Sequence, residues 1–203
     1  MDAFNRAEVS GVILAGGEAR RMDGRDKGLV PLNGRPMVEY ALDALRPQVH
    51  SLLINANRSR DDYAHFGLPL VGDEFPGFNG PLAGMASCLR VVRTPWMVTA
   101  PCDSPLLPAD LVARLGAAAM RDKADICMAH NGERTQPVFA LMRTTLLESM
   151  LDFLRGGERK IDRWFGLHRT AVADFSDTPQ AFLNVNTPEE LRDIEQLIGA
   201  RDA

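Results

Sequence analysis

The chain has 203 residues, 45% of them hydrophobic and 25% charged, long enough to bury a substantial core and too apolar for intrinsic disorder. Its formal net charge of −4 gives no overall attraction to nucleic acid, and apolar runs such as Trp96–Ala100 are too short to span a bilayer. Met1–Glu8 is polar, with no basic segment ahead of an apolar one, so the expected location is the cytoplasm.

In chain order, Val9–Ala15 reads as a buried strand, followed by a loop rich in Gly, Arg and Asp. Pro36 is expected to open a helix with Met37, Val38, Ala41, Leu42 and Leu45 on one face, stopped at Pro47. Val49–Asn55 and Leu68–Gly72 are predicted strands, with a short helix over Asp61–Phe66 between them. A helix from Pro81 toward Val92 leads to a central apolar strand at Trp96–Ala100. Pro108–Met120 has Leu111, Val112, Leu115 and Ala119 at helical spacing. Asp125–Ala129 and Pro137–Met142 form a pair divided by Asn131-Gly132, which predicts a hairpin or antiparallel portion beside the main sheet. Helices are expected at Thr144–Leu154 and Ile161–Leu167, extended segments at Thr170–Phe175 and Ala181–Val185, and a last helix from Pro188. Strands alternating with helices specify an α/β fold, a mostly parallel sheet covered on both faces. With no repeat, low-complexity tract or linker, residues 1–203 read as one domain.

In an open parallel sheet, ligands lie outside the carboxyl ends of the strands. Leu14, Ala15, Gly16 and Gly17 follow the first strand there, and the same loop carries Arg20, Arg21 and Asp26-Lys27-Gly28. Asn55 and Asn57 follow the second strand, Asp73 the third, and Cys102-Asp103-Ser104 the central one. Glycines let backbone N–H groups approach phosphate oxygens, while Arg21 and Lys27 supply compensating charge. The loop is neither a G-x-x-x-x-G-K-[S/T] nor a G-x-G-x-x-G motif, and a glycine pair alone would mean only a flexible turn. Asp103, held just beyond a buried strand, suits Mg²⁺, which binds one or two carboxylates together with phosphate oxygens and water. In isolation the same residue reads equally well as a turn aspartate. Asp73 and Asn55 suit the base and ribose of a nucleotide, since one carboxylate accepts both adjacent donors of guanine. Asp73 also fits a plain turn before Glu74-Phe75-Pro76-Gly77. The second basic cluster, Arg155, Arg159, Lys160 and Arg163, reads by itself as solvated surface. Cys88, Cys102 and Cys127 form no C-x-x-C pair, and the four histidines show no ligand spacing; all seven are expected to be structural or surface residues.

Together these residues resemble the molybdenum cofactor guanylyltransferase family, the MobA type. The resemblance is carried by Leu14-Ala15-Gly16-Gly17 with Arg20-Arg21-Met22, Asp26-Lys27-Gly28-Leu29, Asn55-Ala56-Asn57-Arg58, Gly80-Pro81-Leu82-Ala83-Gly84, Pro101-Cys102-Asp103 and Asn184-Val185-Asn186-Thr187-Pro188. It covers essentially the whole chain. The leading loop is shared by many nucleotidyltransferases, whereas the ordered set is specific. Asp23 departs from the pattern, standing where relatives commonly carry glycine.

The resemblance implies a Rossmann-like nucleotidyltransferase fold and Mg²⁺-dependent transfer of GMP from GTP to the terminal phosphate of molybdenum-molybdopterin. It implies GTP contacts from Leu14, Ala15, Gly16, Gly17, Lys27, Asn55, Asp73 and Asp103, with Arg21, Lys27 and Asp103 as the catalytic set. Asp103 would ligate Mg²⁺, with Asn186 a second candidate metal contact. Arg134, Gln136, Pro137, Arg159, Lys160, Asn184 and Asn186 would face the pterin. Molybdoenzyme chaperones or cofactor-insertion proteins would be partners; nucleic acid and membrane would not. Two alternatives stand beside this one. A cytidylyl- or sugar-phosphate nucleotidyltransferase shares the fold, although cytidylyl relatives usually carry Ala-Ala-Gly where this chain has Ala15-Gly16-Gly17. A non-catalytic nucleotide-binding module would often have lost a residue such as Lys27 or Asp103, and both are present.

Overall fold

The computed structural model describes residues 4–16, 26–74 and 80–201. Its centre is a seven-stranded sheet in the order β5-β4-β1-β6-β8-β7-β9. The strands are β1 Val9–Leu14, β4 Ser51–Asn55, β5 Leu70–Val71, β6 Trp96–Pro101, β7 Ile126–His130, β8 Thr135–Arg143 and β9 Thr170–Asp174. Only β8 runs against the others: it is antiparallel to both β6 and β7, while β9 is parallel to β7. The expected antiparallel pair is therefore built into the main sheet. A separate two-stranded ribbon, β2 Pro31–Leu32 and β3 Arg35–Pro36, turns through Asn33 (φ 48°) and Gly34 (φ 78°). Positive φ at both central residues is the Asn-Gly hairpin turn.

Strand residues divide by parity between two apolar layers. Val9 and Ile13 of β1, with Trp96, Val98 and Ala100 of β6, meet helix α1 (Met37–Leu45), Tyr63 of α2 (Arg60–Ala64) and α4 (Leu111–Arg121). Val12 and Met97 meet α3 (Pro81–Val91), α5 (Leu147–Arg155) and α6 (Ile161–Phe165) on the opposite face. Both faces are covered, so β6 is apolar on both sides and buried along its length, as a central strand must be. A third cluster joins the ribbon to the last helix, α7 (Pro188–Arg201), through Val30, Leu32, Met37, Leu106, Val185, Ile194 and Ile198. No described helix is long and apolar enough to cross a membrane.

Most predicted elements are present, with shifted ends. Pro36 precedes α1 rather than opening it, and Leu68–Gly72 contributes only Leu70 and Val71 to the sheet. Ala181–Val185 forms no strand: Ala181 and Phe182 belong to a 3₁₀ turn over Pro179–Phe182, and the chain is extended at Leu183. Adjacent Ala181 and Phe182 are both buried, and Phe182 packs edge-on against Phe139 and Phe175. A strand sends neighbouring side chains to opposite faces and could not bury this pair together.

One close contact ties the N-terminal segment to the sheet. Phe4 meets Trp96 edge to face, and a Cβ on Gly116 of α4 would lie 2.1 Å from the Phe4 ring. Gly116→Leu should therefore destabilise the fold by about 1–3 kcal/mol despite its better helix propensity. Adding Phe4→Ala should recover part of that loss, measured as Tm for both variants.

Candidate active site

The register of the sheet places one residue from each of four neighbouring strands in a single row. Val71 pairs with Asn55, Asn55 with Leu14, and Leu14 with Pro101. The residues that follow this row, Ala15-Gly16, Asn57, Asp73 and Asp103, thus lie along the carboxyl edge of the sheet. Ladder bonds continue past the row, from Ala15 N–H to the Asn55 carbonyl (2.8 Å) and from Cys102 N–H to the Leu14 carbonyl (3.1 Å). Strand β1 leads to β4 and β5 on one side, while β6 lies on its other side. The crevice between β1 and β6 is the switch point at which α/β sheets bind ligands.

Lys27 and Asp103 meet there. Lys27 sits on a 3₁₀ turn after the first loop, and its Nζ donates to Asp103 Oδ2 at 3.0 Å and to Asn186 Oδ1 at 2.6 Å. The Lys27 and Asp103 side chains are 22% and 13% exposed, so the ion pair is shielded yet open to a ligand. Asn186 arrives from the far end of the sequence. The Val185 N–H donates to the Asp103 carbonyl (2.9 Å), and Ser104 Oγ donates to Asn184 Oδ1 (2.5 Å). Beyond them Thr187 and Glu190 form a reciprocal cap at the start of α7: Thr187 Oγ1 accepts from Glu190 N–H (3.2 Å), and Glu190 Oε2 accepts from Asn186 and Thr187 N–H (2.6 and 3.0 Å). This fixes the entry of α7 and with it the Asn186 side chain.

The second half of the site is an amide–carboxylate set. Asn55 Nδ2 donates to Asp73 Oδ1 at 2.9 Å and Asn57 Nδ2 to Asp73 Oδ2 at 2.7 Å, while Asp73 N–H donates to Asn57 Oδ1 at 2.7 Å. Asn55 is buried, and Gly84 in the first turns of α3 makes room for it: a Cβ there would lie 2.3 Å from Asn55 Oδ1. Gly16 plays the same part from the opposite side, its missing Cβ lying 3.0 Å from Asn57 Nδ2.

Since β8 is antiparallel to β6 and β7, Arg134, Gln136 and Pro137 stand at its carboxyl-edge end, while Arg159 and Lys160 lie between α5 and α6. Arg159 Nη1 is engaged with the Leu154 and Glu158 carbonyls (2.9 and 2.7 Å), while Arg134 and Lys160 are exposed. Gly17, Arg20, Arg21, Met22 and Asp23 lie outside the described residues.

Asp103 Oδ2 and Asn186 Oδ1 already converge on one cation, the Lys27 ammonium, and both are the hard oxygen donors that Mg²⁺ takes. No group of three or more His, Cys, Asp or Glu gathers among the described residues. The residue that sequence reasoning missed is Tyr63, wholly buried on α2, whose hydroxyl reaches the Lys27 turn. Its phenol had no signal distinguishing it from an ordinary core residue.

A family described as MobA-like NTP transferase domain matches residues 11–172. A molybdenum cofactor guanylyltransferase from Shewanella sp. (strain MR-4) is 53% identical over 183 residues, covering 90% of this chain and 93% of the relative. The one from Shewanella loihica is 50% identical over 191 residues, covering 94% and 97%. The crystal structure of molybdopterin-guanine dinucleotide biosynthesis protein A from Archaeoglobus fulgidus superimposes with a TM-score of 0.79 at 19% identity, covering 94% of this chain and 99% of that one.

The cysteines take no part in a disulfide: Cys88, Cys102 and Cys127 are free and buried. Burial raises all three thiols, Cys127 to about 12 and the other two further. A raised thiol pKa keeps the unreactive protonated form, so near pH 8 the native protein should leave Ellman's reagent essentially unreduced. All three thiols should titrate in denaturant; fast reaction of the native protein would show that one is accessible.

Proposed function

Because the chain belongs to the MobA-like NTP transferase family, we propose that it transfers GMP from GTP to the terminal phosphate of molybdenum-bearing molybdopterin, releasing pyrophosphate. The observation that carries this reading is the Lys27 ammonium shared between Asp103 and Asn186 at the switch point of the sheet. Names of relatives at about 50% identity supply the nucleotide and the acceptor.

An acceptor phosphate oxygen attacks the α-phosphorus of GTP, and the bond to the β-phosphate oxygen breaks as pyrophosphate leaves. The reaction needs no covalent intermediate, so the chain's task is to position and neutralise. Lys27, with Arg21, balances charge growing on the phosphate oxygens. Leu14–Gly17 lets the backbone close on the triphosphate. Asp103 and Asn186 would hold Mg²⁺, which when bound draws negative charge from the phosphates and lowers the cost of attack.

Asp73 receives one amide N–H on each carboxylate oxygen, from Asn55 and Asn57. Each oxygen keeps a further acceptor position, matching the paired ring and exocyclic donors of guanine. Arg134, Gln136, Pro137, Arg159, Lys160 and Asn184 take the pterin side, so donor and acceptor enter the same edge from opposite ends. Residues 1–203 act as one nucleotidyltransferase domain in the cytoplasm. Molybdoenzyme chaperones or cofactor-insertion proteins receive the product, without nucleic acid or membrane.

Pyrophosphate release measured with Mg²⁺ and each nucleoside triphosphate, with and without the pterin phosphate, should occur only with GTP and that acceptor. Release with CTP, or with a sugar phosphate as acceptor, overturns the guanylyl or pterin assignment while leaving a transferase. GTP binding without any turnover would make the chain a binding module.

Lys27→Ala or Asp103→Ala should lower kcat by about 10²–10³ with little change in Tm. Near-normal turnover in either would remove that residue from the chemistry. Asp73→Ala should weaken GTP binding about tenfold or more, and Gly84→Val, which drives Asn55 away from Asp73, should do the same. Calorimetry on both variants checks this; unchanged affinity would move the base elsewhere.

A further inference from the structure

Lys27 is carried by a turn whose placement depends on a buried side chain from α2. The Asp26 carboxylate caps that turn, its Oδ1 accepting from Gly28 N–H at 3.3 Å, while Leu29 N–H donates to the Asp26 carbonyl at 3.0 Å. The same Oδ1 accepts a second, shorter bond of 2.6 Å from the Tyr63 hydroxyl. Tyr63 is wholly buried, and its N–H donates to the Ser59 carbonyl at 3.0 Å. Arg60, one helical turn back, ties the start of α2 to the Ala56 and Leu70 carbonyls. The hydroxyl therefore projects from a fixed platform.

Gly28 closes the arrangement. A Cβ on it would lie 2.4 Å from the Tyr63 hydroxyl, 3.1 Å from Cys102 Cβ and 3.2 Å from Cys102 Sγ. The backbone of the Lys27 turn is thus pressed between Tyr63 and the residue immediately before Asp103. Burial raises the phenol far above its ordinary value, with Cys102 and Asp26 adding to the effect, so it remains a donor at any working pH.

We infer that Tyr63 is a positioning residue for the transfer reaction, holding the Lys27 ammonium in register with Asp103 through its bond to Asp26. It touches neither substrate nor metal. Its effect on turnover rests on the function proposed above, whereas its bracing of the turn does not.

Tyr63→Phe removes one oxygen and leaves the ring in its core position beside Phe66. Two measurements on this variant separate the claims. Hydrogen exchange followed by mass spectrometry should show the peptide covering residues 26–30 exchanging about tenfold faster. Asp26→Ala should do the same, and Asp26→Asn, which keeps an oxygen to accept both bonds, should restore slow exchange. Steady-state pyrophosphate release by Tyr63→Phe should show kcat down about tenfold with the KM for GTP within about twofold, because a displaced Lys27 loses effect on the reacting phosphates while the base contacts persist.

Combining Tyr63→Phe with Asp26→Ala should slow turnover no further than the stronger single change, since both break one linkage. Unchanged exchange in Tyr63→Phe would overturn the brace. Faster exchange at wild-type kcat, or fully additive losses in the double variant, would overturn the positioning role and leave Tyr63 a structural residue. Should the wild-type protein turn over no triphosphate at all, the proposed function fails, and the exchange result still decides the brace.

Discussion

The Lys27 ammonium joins three parts of the chain at one point. Its partners lie 76 and 159 residues away in sequence, so this contact ties together the Lys27 turn, the end of β6 and the approach to α7. A partly shielded ion pair is poor evidence of stability, because desolvation offsets much of the attraction. Its value is geometric. It presents one positive and one negative group side by side at the switch point of the sheet.

The surroundings serve that geometry. Parallel strands buried on both faces cannot shift register without moving apolar side chains into the wrong layer, so the row Val71, Asn55, Leu14 and Pro101 is held across the sheet. Glycines then act as clearances where side chains approach backbone. Gly84 admits Asn55, Gly16 admits Asn57, and Gly28 admits Tyr63. None of these three requires an unusual φ; each is needed for the space it leaves.

The alternation of strands and helices, and the residues at strand ends, could be read in advance because hydrophobic periodicity is local and ligand sites in α/β sheets follow topology. The places of Asn55, Asp73 and Asp103 at the ends of their strands were legible for that reason. The Asn33-Gly34 ribbon escaped notice because strands of two residues flanked by Pro31 and Pro36 show no alternation. Ala181–Val185 was misjudged because Phe182 packs on Phe139 of β8 and on Phe175 across the turn, contacts that alternation within the segment does not contain. Tyr63 was invisible for the same reason, its hydroxyl bond reaching 37 residues back to Asp26.

The lateness of Asn186 gives the cation cradle a history during synthesis. At about 5–20 residues per second, a ribosome makes Asn186 roughly 10–30 s after Lys27. During that interval β1, β4, β5 and β6 can already be laid side by side, with the ammonium facing Asp103 alone. Only when the Thr187–Glu190 cap sets α7 against the ribbon does the amide oxygen enter. Of the three groups that meet at this contact, the Asn186 amide is therefore the last to be synthesised.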